Sequence, residues 1–498
     1  MSKFSFSNLP KIHFLSSESI RVMHEASIEL LGKIGVLVQS RDVLKLLVDA
    51  GCEVDSRNRV KIPEYLVNEC IKSAPSSVRI YSRDGKHDLN VGGDNVYFNP
   101  GSAAISILDS ETETIRTPTI RDLVDFVVVT DYLNNIHAQS TAIVPSDVPE
   151  EVKDRVRLYI TLKYSTKPVI TGAFTIDGLH DMKKMLDIVA GCDSGRKPMA
   201  IFDVCPSPPL KWSELTVTNL VDCARYRIPA ELVSMPQIGA TGPATLAGCL
   251  IQHTAENLSG IVIHQLTNRG APIIYGGSPA LLDMRSGMSC MAAPEVMLLV
   301  AGYVEIGKYY GLPTHGYLGL SDTKIVDYQA GLESALGLLV GALKRVNIVS
   351  GAGMIDFESC QSLEKLILDN EVCGYSLRIV RGVDVMEETL ALETFNEAIE
   401  KGDFISLKHT LKWLRNEQYF PSRLIDRDSH RKWIDKGLKN AWRRAREEVK
   451  RILKEYKPQP LPTDIDRELN EFINSVMKKY KAKLSTLTLN NPNLGRCS

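Results

Sequence analysis

The sequence predicts an α/β protein: a (β/α)8 TIM barrel with additional N-terminal and C-terminal helical layers. Three observations predict it. Eight short apolar runs recur along the middle of the chain, at 96–99, 136–144, 168–172, 199–203, 231–235, 272–276, 313–316 and 347–351, most ending on a polar residue and a glycine or proline. Such runs suit strands buried on both faces, as in parallel sheets. Every interval between consecutive runs can hold a helix, and eight strand–helix alternations make a (β/α)8 barrel. The chain has 498 residues, more than the ~250 of a bare barrel, which leaves room for outer layers.

In chain order, residues 1–93 read as an N-terminal helical and β-hairpin extension. Apolar residues recur at helical spacing from Ser17, a second helix follows Ser40 and stops at Gly51, and Pro63 opens a third. Asp84-Gly85 and Gly92-Gly93 mark hairpin turns in a β-rich stretch from about 77 to 115. The barrel spans 94–385 and includes a long helix over 241–268, with Thr241 as its cap, Pro243 in its first turn, and small residues (Ala244, Ala247, Gly248, Ala255, Gly260) for close packing. Residues 386–498 read as a helical extension, with a rigid break at Pro458-Gln-Pro-Leu-Pro, a last helix over 464–483 and a loosely ordered end over 484–498.

Composition narrows the function class. Net charge is −1 with 24% charged residues, ordinary for a globular protein. No apolar stretch reaches the ~18 residues of a membrane span, and the N-terminus lacks a signal peptide's apolar core, so the expected setting is cytoplasmic. Ten cysteines without a CxxC pair read as reduced thiols. The metal-binding spacing His-x-Cys is absent at all ten histidines, which leaves only a non-local site such as Cys205 with His315. Residues 401–498 hold 23 Lys plus Arg against 12 Asp plus Glu, a local +11. The cluster Arg443-Arg444-Ala445-Arg446 lies on an amphipathic helix with apolar Trp442, Val449, Ile452 and Leu453, so it reads as a solvated or protein-docking face rather than a nucleic-acid site.

Barrel active sites sit at the C-terminal ends of the strands. Those ends carry Asn99, Gln139, Thr141, Thr171, Asp203, Cys205, Gln237, Tyr275, His315 and Ser350. An aspartate ending a buried strand must be paired, solvated or used. Gln237 precedes the helix at Thr241, whose free N–H groups suit an anion. Arg285, in the long loop after the sixth strand, can fork onto a carboxylate or a partner protein, or pair with Asp283 or Glu295. His315 is followed by glycine at a strand end, whereas His253 and His264 fall mid-helix and read as packing residues.

Several spaced motifs carry a resemblance: Gln237-Ile-Gly-Ala-Thr-Gly-Pro-Ala-Thr-Leu-Ala-Gly, Ala271-Pro-Ile-Ile-Tyr-Gly, Asp283-Met-Arg-Ser-Gly, Ala293-Pro-Glu295, Ser321-Asp-Thr-Lys-Ile-Val-Asp-Tyr-Gln-Ala-Gly331, Leu424-Ile-Asp-Arg-Asp-Ser-His and Pro460-Leu-Pro. In this order, over nearly the whole chain, they resemble the trimethylamine methyltransferase family. The family's founding members use pyrrolysine; this sequence has none, so it resembles the non-pyrrolysine branch, similar to glycine betaine methyltransferases. The resemblance implies methyl transfer from an amine to cobalt(I) of a separate corrinoid protein, with no tightly bound cofactor in this chain.

A quaternary ammonium already has a neutral amine as leaving group, so this chemistry needs alignment and water exclusion rather than a catalytic acid. Aromatic faces and a carboxylate suit the cation. The expected substrate site is Asn99, Asp203, Gln237, Tyr275, His315 and Tyr317, with Tyr275 and Tyr317 as cage walls, Phe98 or Phe202 as packing, and His315, Arg285 or the Thr241 helix start for a carboxylate. Arg285, Asp322 and Lys324 are the expected docking residues for the corrinoid protein; no catalytic side chain and no metal ligand is assigned. A homo-oligomer that binds neither nucleic acid nor membrane is expected. Two rivals remain: a zinc-dependent methyltransferase of the same architecture acting on a thiol or methanol, and a non-catalytic methylamine-binding protein.

Overall fold

The computed structural model describes residues 5–480; the stretch 484–498 lies outside them. Helices Ser17–Lys33, Arg41–Asp49 and Glu64–Ser73 form the N-terminal layer. Ser16 caps the first of them, its side chain accepting from Ser19 N. Short strands the sequence did not announce, Val36–Val38, Glu53–Val54 and Arg59–Lys61, pair antiparallel and join Lys211–Trp212. Two or three residues are too few to display a period.

Eight short parallel strands follow: β1 Tyr97–Pro100, β2 Gln139–Ser140, β3 Val169–Thr171, β4 Ala200–Val204, β5 Ala230–Ser234, β6 Ile273–Gly277, β7 His315–Tyr317 and β8 Ile348–Ala352. Each overlaps one of the eight apolar runs. The order is β2-β3-β4-β5-β6 in one sheet and β7-β8-β1 in another, every pairing parallel. A parallel bridge between Tyr275 and Thr314 links β6 to the start of β7. His137 N and Ala138 N, leading into β2, both donate to Phe98 O of β1. The helices after the strands are α1 Ile120–Tyr132, α2 Lys153–Tyr164, α3 Gly178–Ala190, α4 Glu214–Tyr226, α5 Leu246–Thr267, α6 Pro294–Tyr309, α7 Tyr328–Leu343 and α8 Leu363–Arg381.

Alternation along the strands sorts their side chains into two cores. Outward residues such as Phe98, Phe202, Leu232 and Tyr275 join the main cluster under the helices. Inward residues at the N-terminal ends, Ala138, Ile170, Ile201, Ile274 and Ile348, pack against Val78, Ile80, Leu89 and Val91. Those four belong to the hairpin Ser77–Ile80/Leu89–Gly92, which plugs the base. At the opposite ends Ala104, Val233, Ala280, Met291, Tyr317, Leu320 and Met354 form a separate cluster with half-buried Cys205 and Phe357 against it.

The long helix corrects an expectation. Thr241 is not its cap: its hydroxyl accepts from Gln237 N, and α5 begins five residues later, where Thr245 accepts from Gly248 N. Gly242 and Pro243 belong to the turn before it. At the other end of the chain, Val383–Met386 pairs antiparallel with Ser5–Asn8, so the C-terminal segment is not wholly separate from the N-terminus. Helices Leu392–Lys401, Lys408–Glu417, His430–Asp435, Ala441–Glu455 and Thr463–Lys479 follow. On Ala441–Glu455, Val449, Ile452 and Leu453 are buried, while Arg446 and Lys450 pair with Glu111.

Candidate active site

Parity decides which strand-end residues meet. Ile201 and Ile274 face inward at the base, so Asp203 faces inward two residues above Ile201, and Tyr275 faces outward. Tyr275 OH donates to Thr254 of α5, and the ring packs on His253, Tyr303 and Tyr310. This corrects the cage expectation for Tyr275: it is a wall between strand and helix. Tyr317 faces the mouth, where Ser102 Oγ lies 3.3 Å from its hydroxyl and 3.2 Å from Asp203 Oδ2.

The inward residues form one connected network. His315 Nδ1 stands 3.0 Å from Glu231 Oε1, with both side chains fully buried, and the imidazole meets Tyr317 edge-on. Gly276 of β6 leaves the room this needs, because a Cβ there would lie 2.8 Å from His315 Nδ1. Asn99 Nδ2 donates to the Pro100 carbonyl and to Ser140, which turns Oδ1 toward Ser350. Ser350 donates to that Oδ1 at 2.7 Å, so its lone pairs are what His315 Nε2 meets at 3.0 Å. His315 thus keeps a proton on Nε2 and presents Nδ1 to Glu231.

Burial drives the protonation states. The His315 imidazole is pushed down to about 3 by desolvation and is neutral. Glu231 is raised well above the ordinary carboxyl range by burial, then by Asp203. Asp203 is raised to about 6 by burial, against which hydrogen bonds from Glu231 and Ser102 and the charge of Arg157 pull downward. Glu231 therefore holds a proton that Asp203 and His315 Nδ1 can both accept. Asp203 Oδ1 and both Glu231 oxygens otherwise meet no donor among the described residues. Glu358, from the loop after β8, is raised to about 8 by burial and feels Asp203. Arg157 of α2 is fully buried over the Phe174 ring at 4.7 Å and donates to the Thr141 and Ile143 carbonyls, yet among the described residues its Nη1 has no acceptor. Asp203, Cys205, Ser102 and Glu358 each retain accessible surface, so the network reaches the mouth.

Sequence reasoning missed Glu231, Glu358, Arg157 and Ser102. Glu231 carried a signal, since a charged residue opening an apolar run is the exception that asks for a use. The other expected residues lie apart from this network. Gln139 points outward to the Val127 carbonyl, and Thr141 and Thr171 bond each other. Gln237 lies in a strand paired with Ala280–Leu282 and bonds Ser289. Arg285 is bound to Asp283, its side chain 91% exposed, the ion-pair alternative read from sequence. Asp322 accepts from Met291 N and Ala292 N and so pins the loop after β6. Lys324 lies 3.7 Å from the Phe357 ring centroid and 3.8 Å from Asp356. Arg285, Asp322 and Lys324 line one surface groove of about 530 Å³ at the mouth, with Phe357 on its wall.

Among the described residues no group of three His, Cys, Asp or Glu side chains is arranged to hold a metal ion, and no helix is long and apolar enough to cross a membrane.

In fold, the chain resembles the monomethylamine methyltransferase of Methanosarcina barkeri, with a TM-score of 0.53 at 13% identity over 89% of each chain. The trimethylamine methyltransferase MttB of Desulfitobacterium hafniense is 32% identical over 93% of this chain and 94% of its own. A glycine betaine methyltransferase from the same species is 31% identical over 93% and 97%. The family model for trimethylamine methyltransferase matches residues 2–481. The chain belongs to the trimethylamine methyltransferase family.

Proposed function

We propose that the chain demethylates a quaternary amine of the betaine type and passes the methyl group to cobalt(I) of a separate corrinoid protein in the cytoplasm. The observation that carries this reading is the inward cluster of Asp203, Glu231, Glu358 and Tyr317 at the strand ends, an acidic and aromatic mouth suited to a methylated cation. The 31% identity to a glycine betaine methyltransferase and the absence of pyrrolysine support the quaternary class.

In this reading Asp203 and the Tyr317 face hold the ammonium, and the Nη1 of Arg157, unpaired among the described residues, is the donor for a carboxylate; His315, whose Nε2–H is taken by Ser350, does not reach one. The Asn99–Ser350–His315 chain fixes the imidazole's orientation. Apolar Met291, Leu320 and Met354 exclude water from the N–CH3 bond, which leaves to the chain the work of alignment. The corrinoid supplies the nucleophilic metal, so its face must cover the mouth. The groove of Arg285, Asp322 and Lys324 is the proposed docking surface.

The architecture fits a closed eight-stranded barrel over 94–385 between a helical and hairpin extension (1–93) and a helical extension (386–498). The Tyr275–Thr314 bridge and the His137-to-Phe98 hydrogen bonds support closure at the two gaps between sheets. Self-association is expected along with it. A screen of glycine betaine, carnitine, proline betaine and choline for methylation of cob(I)alamin tests the function. Turnover with at least one supports it, and tight binding without transfer from any would replace it with a binding role.

A further inference from the structure

Three consecutive non-glycine residues, Asp356, Phe357 and Glu358, hold φ angles of 53°, 53° and 70°. Side chains carrying a Cβ are strained in this left-handed region, and such strain persists only where surrounding structure enforces it. Here it turns Glu358 back over the strand ends, where Ser278 at the end of β6 donates to it at 3.5 Å and where it faces Asp203, Cys205 and Tyr317. Asp203 and Tyr317, which Glu358 faces, also lie within reach of fully buried Arg157, whose Nη1 has no partner among the described residues. Buried polar atoms without partners are rare, and the carboxylate of a zwitterionic ligand would satisfy this one.

The charges at this lip nearly cancel. Arg157 is a cation even though burial lowers it to about 10, and Asp203, raised to about 6, is an anion at neutral pH. Burial holds Glu231, Tyr317 and Cys205 protonated and His315 neutral. Tyr303, packed behind Glu231 from α6, is protonated as well. A quaternary ammonium brings a positive charge and no proton to give up. Asp203 is already ionised, and the proton of Glu231 is held between Asp203 and His315. Glu358 is the remaining carboxyl, half-buried and with a route to water.

Resting on the reading of this mouth as a quaternary-ammonium site, we propose that Glu358 is its specificity-determining residue, exchanging its carboxyl proton for the incoming cation. The O–H bond breaks with its electron pair left on Glu358, the proton goes to water, and no covalent bond to the ligand forms. Because the carboxyl, raised to about 8, is about one-tenth ionised at pH 7 and nine-tenths at pH 9, affinity for a cation should rise about tenfold across that range.

Calorimetry of the full chain with tetramethylammonium, at pH 7 in two buffers of different protonation heat, tests this. The expected result is release of about one proton, falling toward zero at pH 9. Glu358→Gln should abolish the release and flatten the rise in affinity, while Glu358→Asp should keep both. The tert-butyl analogue of choline, with carbon in place of nitrogen, should bind without moving a proton. Ser278→Ala serves as a second variant that spares the strained loop; loss of its hydrogen bond to the ionised form should lift the pH at which affinity rises. Equal heats in both buffers, release retained in Glu358→Gln, or no binding of tetramethylammonium overturns the proposal. Proton release without any methyl transfer to cob(I)alamin would sink the proposed reaction and leave this inference standing; transfer without proton release would do the reverse.

Discussion

The two ends of the strand array are built from the same alternation and opposite chemistry. At the base, every second residue is apolar and a hairpin seals it: Ile170, Ile201, Ile274 and Ile348 meet Val78, Ile80, Leu89 and Val91. At the mouth, two residues further along β4 and at the matching level of β5 and β7, the inward positions become Asp203, Glu231 and His315. The base maximises apolar burial. The mouth keeps carboxyls together that would each be more comfortable in water, a stability penalty tolerated at sites that bind or react.

Exchanging a residue at each end should separate the two roles most strongly. Asp203→Asn removes the ammonium's anion and is expected to lower kcat/KM by about 10²–10³-fold, comparable to deleting one preorganised electrostatic contact. Its melting temperature should hold or rise, because a buried carboxylate beside Glu231 is gone. Ile80→Ala at the plug should do the opposite, losing about 2–5 kcal/mol of stability for the cavity it leaves with kcat/KM nearly intact below the transition. A destabilised Asp203→Asn enzyme of normal activity would collapse the distinction.

A smaller effect should appear in stability against pH. Glu358, raised to about 8, and Asp203, raised to about 6, bind protons more tightly in the folded chain than in the unfolded one. Their protonated forms thus favour the fold below the ordinary carboxyl range. That contribution is lost as pH climbs through about 6 and then about 8. The melting temperature should fall from pH 5 to pH 9, and less steeply in Glu358→Gln; parallel curves would assign the trend to other groups.

How much of this the sequence announced follows from the same contrast. All eight strands were legible because residues buried on both faces form short apolar runs, which flanking glycines and prolines set apart from the buried runs of helices such as Phe126 to Val129. The base was legible in outline from Asp84-Gly85, which marks the turn of its hairpin. The mouth was half legible. Asp203, His315 and Tyr317 could be read as strand ends, but Tyr275 could not be told from Tyr317 without the register that turns Ile274 inward. Glu358 was invisible, since its place depends on three left-handed residues with no glycine to mark them. Arg157 lies on a helix whose polar residues look solvated in sequence and are buried in the fold.

The mildest perturbation probes the mouth's outer rim, where Arg285 projects into water and, among the described residues, bonds only its neighbour Asp283. Such exposed pairs contribute little to folding, so Arg285→Glu should leave the melting temperature nearly unchanged. Lys324 is the poorer choice for reversal, since its ammonium sits on Phe357 beside the loop that carries Glu358. If the groove receives the corrinoid protein, Arg285→Glu should slow methyl transfer to that protein severalfold at low salt, through a weakened encounter. Transfer to excess free cob(I)alamin should be unaffected, because a small acceptor reaches the mouth without the rim. The gap between variant and parent should narrow as salt rises, with a Debye length near 8 Å at about 0.15 M. Equal slowing with both acceptors would move Arg285 into the substrate's path, and no slowing with either would move the docking surface to another part of the rim.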